Sequence, residues 1–130
     1  MPQRLALVTL LVPDYDGAIA YFTSVLGFRL LEDTRMSEEK RWVVVSPGEG
    51  GANLLLAKAA TESQRARVGD QTGGRVGFFL HVDDFDAAYE RMRALGVAFC
   101  EAPRAEPYGK VAVFEDMYGN RWDLLEPRTD

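Results

Sequence analysis

Apolar residues along this chain fall into short strand-like runs and two helical stretches, and the order of those elements repeats. Leu5 to Val12 and Val76 to Val82 are runs rich in Val, Leu and Phe, as expected of strands with at least one buried face. Behind each run the period lengthens. In the first stretch Ala18, Ile19, Phe22, Val25 and Leu26 recur at helical spacing. Asp14 or Asp16 opens that helix by accepting from the free amides of its first turn, and Gly27 closes it. The second stretch sets Phe85, Ala88, Met92 and Leu95 on one stripe, opens on Asp83 or Asp84, and stops at Gly96. Three more strands are expected after each helix: Phe28 to Asp33, Arg41 to Ser46 and Ala52 to Ala57, then Ala98 to Ala102, Lys110 to Glu115 and Arg121 to Leu125. Turn chemistry separates the last two of each set, with Pro47-Gly48-Glu49-Gly50-Gly51 in one half and Asp116-Met117-Tyr118-Gly119-Asn120 in the other.

The two halves are copies of one module. Val12-Pro13-Asp14-Tyr15-Asp16-Gly17-Ala18 aligns with Val82-Asp83-Asp84-Phe85-Asp86-Ala87-Ala88 at an offset of 70, from position 12 to position 82. Leu26-Gly27-Phe28 aligns with Leu95-Gly96-Val97 at 69, so one residue is lost within the second helix, and Gly50 corresponds to Gly119 at the same offset. The expectation is an α+β fold in which two tandem βαβββ modules form a curled, cup-like, eight-stranded mixed sheet with the helices outside. Residues 1–130 read as a single domain, with module one at 4–57, a polar linker at 58–74 and module two at 75–127. A short helix is expected in the linker around Glu62 to Arg67.

Composition narrows the function classes. A chain of 130 residues, 47% hydrophobic and 27% charged, can bury a core without disulfides or metal. Its net charge of -5 and the lack of any basic cluster interleaved with aromatics argue against nucleic acid as a partner. The single cysteine, Cys100, has no internal partner; this fits a reducing compartment, and a cytoplasmic location is expected. Arg4 ahead of Leu5 to Val12 has the look of a signal segment, but Pro13, Asp14 and Asp16 interrupt it and the pattern recurs mid-chain, so we read it as a buried strand. No run reaches the ~20 apolar residues of a membrane span.

Strand phase selects the candidate chemistry, because side chains alternate across a strand. Ala6, Val8, Leu10 and Val12 form one face of the first strand, and Leu5, Leu7, Thr9 and Leu11 the other. Val76, Phe78, Leu80 and Val82 should meet the second helix, which turns Gly77, Phe79 and His81 the opposite way. In the last strand Trp122 and Leu124 pack on the helix while Arg121, Asp123 and Leu125 look across the sheet. His81 and Asp123 are therefore the polar groups sent to the open face: a general acid/base pair, or a hydrogen-bonded histidine and an aspartate in a salt bridge with Arg121, Arg41 or Lys110. Trp42 and Phe79 read as an aromatic wall or as core, and Tyr108 in Pro107-Tyr108-Gly109 as a lip or a plain turn. Cys100 reads as a small buried hydrophobe.

The duplicated pattern, the run from Val12 to Phe22, Val25-Leu26-Gly27-Phe28, and the segment from Phe114 to Leu124 together resemble the vicinal oxygen chelate superfamily. That group includes glyoxalase I, extradiol dioxygenases, methylmalonyl-CoA epimerase, and bleomycin and fosfomycin resistance proteins. The resemblance implies a homodimer and a site on the open sheet face, where His and Glu residues of metal-using members grip a divalent cation. Carried over residue by residue, those positions fall at Leu7, Gly77, about Leu54, and Asp123, so three of the four bear no ligand. No cofactor and no metal ligands are expected. The resulting reading is a bleomycin-resistance-like protein that binds a hydrophobic or aromatic small molecule against Leu7, Trp42, Leu54, Gly77, Phe79 and Tyr108. Its alternative is a lyase, isomerase or dioxygenase-type enzyme using Asp123 and His81, with a divalent metal recruited in an unorthodox way.

Overall fold

The computed structural model describes residues 2–129. Two compact units divide at Val68 and Gly69, and each carries one mixed sheet.

The first unit runs β1 (Leu7–Val12), α1 (Tyr15–Ala20), β2 (Arg29–Arg35), β3 (Arg41–Ser46), β4 (Asn53–Lys58) and the short α2 (Glu62–Arg65). Asp14 caps α1 by accepting from Gly17 N at 2.6 Å. Past Ala20 the helix widens into a π-type turn over Tyr21–Val25, and Gly27, at φ 76°, ends it in the left-handed region, as the sequence requires. The sheet order is β1-β4-β3-β2, with β1 and β4 parallel and the other pairs antiparallel. Leu10, Leu56 and Val43 lie side by side in register, and all three are fully buried, as are Ala18 and Phe22 of the helical segment. Each such leucine contributes about 2–3 kcal/mol of hydrophobic stabilisation. Arg41 N donates to the Tyr15 hydroxyl at 3.2 Å, and the Arg41 guanidinium bridges Asp33 and Asp16, which ties α1 to β3.

The second unit repeats the plan as β5 (Val76–His81), α3 (Phe85–Ala94), β6 (Ala98–Phe99), β7 (Arg104–Glu106), β8 (Gly109–Glu115) and β9 (Arg121–Pro127). Its order is β5-β9-β8-β6, and β7 also pairs with β8. β6 lies against Phe114 and Glu115 and β7 against Val111 to Gly109, so the two pieces share the edge place that β2 holds alone in the first sheet. Ala98 to Ala102 is therefore a strand for only two residues, and the polar Arg104-Ala105-Glu106 resumes it after Pro103. In the break, the Glu101 side chain accepts from Val113 N at 3.0 Å, in place of a strand carbonyl.

Asp84 caps α3 by accepting from Ala87 N at 3.1 Å. Leu95, expected on the buried stripe, is 49% exposed, because the helix ends at Ala94 and the chain turns away toward Gly96. The helix-side core is aromatic. Phe78 stacks on Trp122 at 4.6 Å between centroids, Trp122 on Phe114 at 5.8 Å, and Phe99 bridges Phe114 to Tyr89 of α3.

Candidate functional site

Both sheets have one face packed under a helix and one free of it, and backbone register assigns every strand residue to one or the other. In the second sheet, the helix-free face reads across the strands as rows of in-register partners. One row is Arg104, Val111, Leu125 and His81; the next is Val113, Asp123 and Phe79. A third row holds Ala98, Glu115 and Arg121, and Val76 meets Arg121 across the register shift before Phe78.

His81 and Asp123 thus share the face that their phase predicts, one row apart. His81 is exposed, whereas Asp123 is only 9% exposed. Phe79, the partner of Asp123 in register, is 62% exposed, whereas Leu125 and Val111 in the next row of the same face are 8% and 0% exposed. Gly77 sits at a register shift between Val76 and Phe78. A Cβ there would meet the Thr72 methyl at 2.6 Å, and Thr72 is itself held by its hydroxyl donating to Arg75 O. The place where a side chain at 77 would begin is taken.

The rigid anchor of this face is the turn before β9. Asp116, 4% exposed, accepts from Tyr118 N, Asn120 N, Asn120 Nδ2 and Trp122 Nε1 at 2.9–3.0 Å. Fixing the Trp122 ring on the helix side leaves Asp123 to point the other way.

Asp123 has none of the three salt bridges considered from the sequence. Arg121 faces Glu115 at 3.5 Å, Arg41 is held by Asp16 and Asp33, and Lys110 reaches Asp86 at 2.5 Å. Asp123 Oδ1 is buried without a hydrogen-bond partner. Burial pushes its carboxyl above the usual 3.8; Arg104 opposes that rise and Glu101 adds to it. Arg104 is itself shared by Glu101 at 3.1 Å, Glu106, and the Tyr108 hydroxyl at 3.3 Å. Tyr108, 51% exposed in the turn from β7 to β8, is therefore joined to this face through Arg104.

In the first sheet, the helix-free face carries Leu7 paired with Asn53, Leu55 between Thr9 and Val44, and Leu11 paired with Ala57. Trp42 is half-buried and lies two residues from Val44, so it shares their face. Leu54 does not. It pairs with Val8 and Val45 and packs on the helix side with Leu56, so it sits on the face opposite Leu7. The sequence alignment placed Leu54 one residue off, because the offset between modules drops from 69 to 68 in the final turn. Register matches Asp123, between Phe79 and Val113, to Leu55, between Thr9 and Val44.

The positions that the family resemblance points to as ligand-bearing are Leu7, Gly77 and Asp123, with Leu55 rather than Leu54 as the register equivalent of Asp123. One carboxylate, two leucines and a glycine against Thr72 are not the donor set for a divalent cation. Among the described residues, no three or more His, Cys, Asp or Glu side chains gather as a metal site elsewhere.

Arg104, Glu101 and Asn53 escaped the sequence reading. Asn53 Oδ1 is a second buried acceptor without a partner, and the Leu7-Asn53 pairing is the signal that would have found it. Arg104 and Glu101 lie in a segment without apolar alternation and left no such mark. Cys100 is exposed, contrary to expectation, because β6 ends at Phe99. Its thiol is still pushed up, first by the part of it that the chain covers and then by Glu115, which disfavours the thiolate. No helix is long and apolar enough to cross a membrane among the described residues.

Comparison with known proteins gives a consistent set of relatives. A family model described as the Glyoxalase/Bleomycin resistance protein/Dioxygenase superfamily matches residues 4–124. An uncharacterized protein of Shewanella frigidimarina (strain NCIMB 400) is 50% identical over 128 residues, covering 97% of this chain and 95% of its own. The crystal structure of UcmS2 superposes with a TM-score of 0.83 at 34% identity, covering 97% of this chain and 99% of that one. TnmS3, an antibiotic binding protein from Streptomyces sp. CB03234, gives a TM-score of 0.79 at 28% identity, covering 98% of both chains.

Proposed function

The chain belongs to the glyoxalase/bleomycin resistance protein/dioxygenase superfamily, and from that premise we propose that it is a small-molecule-binding protein that holds a largely apolar, aromatic compound without a metal. The observation that carries this reading is Phe79, a phenylalanine 62% exposed whose in-register partner Asp123 is 9% exposed, on a sheet face that also carries the buried Leu125 and Val111. A large apolar ring held open beside a closed apolar floor is a stacking platform for a ligand. The donor set described above gives a divalent cation too few ligands, and a relative of the same fold is described as antibiotic binding. The acting form is a homodimer in a reducing, cytoplasmic setting, with a second copy covering the exposed edge strand β2.

The test is a thermal-shift screen of planar aromatic compounds, repeated on Phe79→Ser. Hits whose stabilisation disappears in Phe79→Ser support the reading; a panel without hits, or hits indifferent to Phe79, contradicts it. The shared face of His81 and Asp123 favours one second reading, acid/base catalysis on the bound compound. That reading requires turnover of a hit by the wild type and its loss in both His81→Gln and Asp123→Asn.

A further inference from the structure

The charges on the helix-free face of the second sheet do not balance, and the imbalance names a ligand class. Arg104 on β7 is occupied by two carboxylates, Glu101 and Glu106, and Arg121 on β9 faces Glu115 of β8. Both arginines are thus engaged, and Asp123 is left with a buried Oδ1 that has no hydrogen-bond partner among the described residues. A buried carboxylate in this position is costly unless a partner arrives. The partner must come from outside, must donate, and is most useful if it carries a positive charge.

Beside Asp123, one strand spacing away, stands the exposed ring of Phe79. Strands lie about 5 Å apart, so a cationic group one or two bonds from an aromatic ring reaches the carboxylate while its ring lies along the phenylalanine.

Resting on the reading of this face as a ligand site, we propose that Asp123 anchors a cationic aromatic ligand: a protonated amine donates to Oδ1 while the attached ring packs on Phe79. The ion pair forms at a carboxylate only 9% exposed, on a face where Val111 and Leu125 are buried. It therefore carries more of the affinity than a surface pair would. Neutral aromatics bind the same face more weakly, and anionic ones are repelled by the surplus of Asp123, Glu101, Glu106 and Glu115 over the two arginines.

The experiment titrates the full-length protein and its Asp123→Asn variant with two matched fluorescent probes, naphthylmethylamine and the uncharged naphthylmethanol, at neutral pH. The wild type should prefer the amine. Asp123→Asn should lose amine affinity by roughly tenfold or more while holding the alcohol within about threefold. Equal binding of both probes by both proteins overturns the anchor and leaves the aromatic platform standing. Failure of the wild type to bind either probe overturns both.

Carbon-13 NMR of the Asp123 carboxyl in the wild type gives a second readout that needs no variant. The charged and titratable groups that face it are His81 on β5, Glu101 before β7, Arg104 on β7, Glu115 on β8 and Arg121 on β9. Saturating amine should move the Asp123 midpoint to lower pH. A titration unmoved by the amine overturns the proposal even if Asp123→Asn fails to fold.

Discussion

Replacing Asp123 by asparagine should make the protein more stable at neutral pH, although it alters a residue of the binding face. Asp123 is 9% exposed, and its Oδ1 meets no donor. An unsatisfied buried polar group costs about 1–3 kcal/mol, and more when charged. The amide keeps the shape and one orphan acceptor but removes the charge, so a gain of about 1–2 kcal/mol follows, or a rise in Tm of roughly 3–8 °C for a chain of this length. The sign of the pH dependence follows from the raised carboxyl. Burial, countered by Arg104 and reinforced by Glu101, puts its folded pKa above the usual 3.8. The native state then binds that proton more tightly than the unfolded chain does. Its contribution to stability is complete below the unfolded pKa and is lost as pH climbs through the folded one. The two proteins should accordingly be alike in acid, and their difference should open as pH rises above 3.8 and level off once the folded carboxyl has ionised. Urea unfolding of both proteins across a pH series measures this directly. An Asp123→Asn variant less stable than wild type at neutral pH, or a gap of constant size at every pH, would refute the claim that this carboxylate is buried without a partner.

Other consequences are open to the same kind of check. Asp116→Ala removes the acceptor for four donors of the turn before β9, and should cost about 3 kcal/mol or more in urea unfolding while loosening the near-ultraviolet circular dichroism of Trp122. Asp14→Ala, which only uncaps α1, should cost about 1 kcal/mol by the same assay. Leu56→Ala, a truncation at a fully buried position, should cost about 2–5 kcal/mol. The Cys100 thiol, with its raised pKa, should react with a disulfide reagent more slowly than a free cysteine at mildly alkaline pH despite its exposure; equal or faster reaction would show an activated thiolate.

Much of the fold was written in local pattern. A continuous apolar run gave β3 its bounds, Arg41–Ser46, outright, and Asp14, Asp84, Gly27 and Gly96 marked helix ends by chemistry that needs no tertiary partner. The phases of the fifth and last strands also put His81 and Asp123 on one face. What stayed hidden depended on pairing. Leu54 was assigned to the open face because a one-residue change of offset between modules leaves no trace in either strand alone, and a slip of one turns every side chain over. β7 was missed because Arg104-Ala105-Glu106 follows a proline and buries no apolar side. The engagement of Arg104 with Glu101, Glu106 and Tyr108, and with it the solitude of Asp123, arises from contacts across the β6-β7 break.

The claim on which the account rests is that this face captures an aromatic compound through its own side chains, independently of any metal ion. Calorimetric titration of the strongest thermal-shift hit into untagged protein tests it, first in excess chelator and then after dialysis against Zn, Ni, Mn or Fe(II). The same affinity and one-to-one stoichiometry per chain are expected in every case. Binding that appears only with metal, and vanishes in Asp123→Ala, would contradict it.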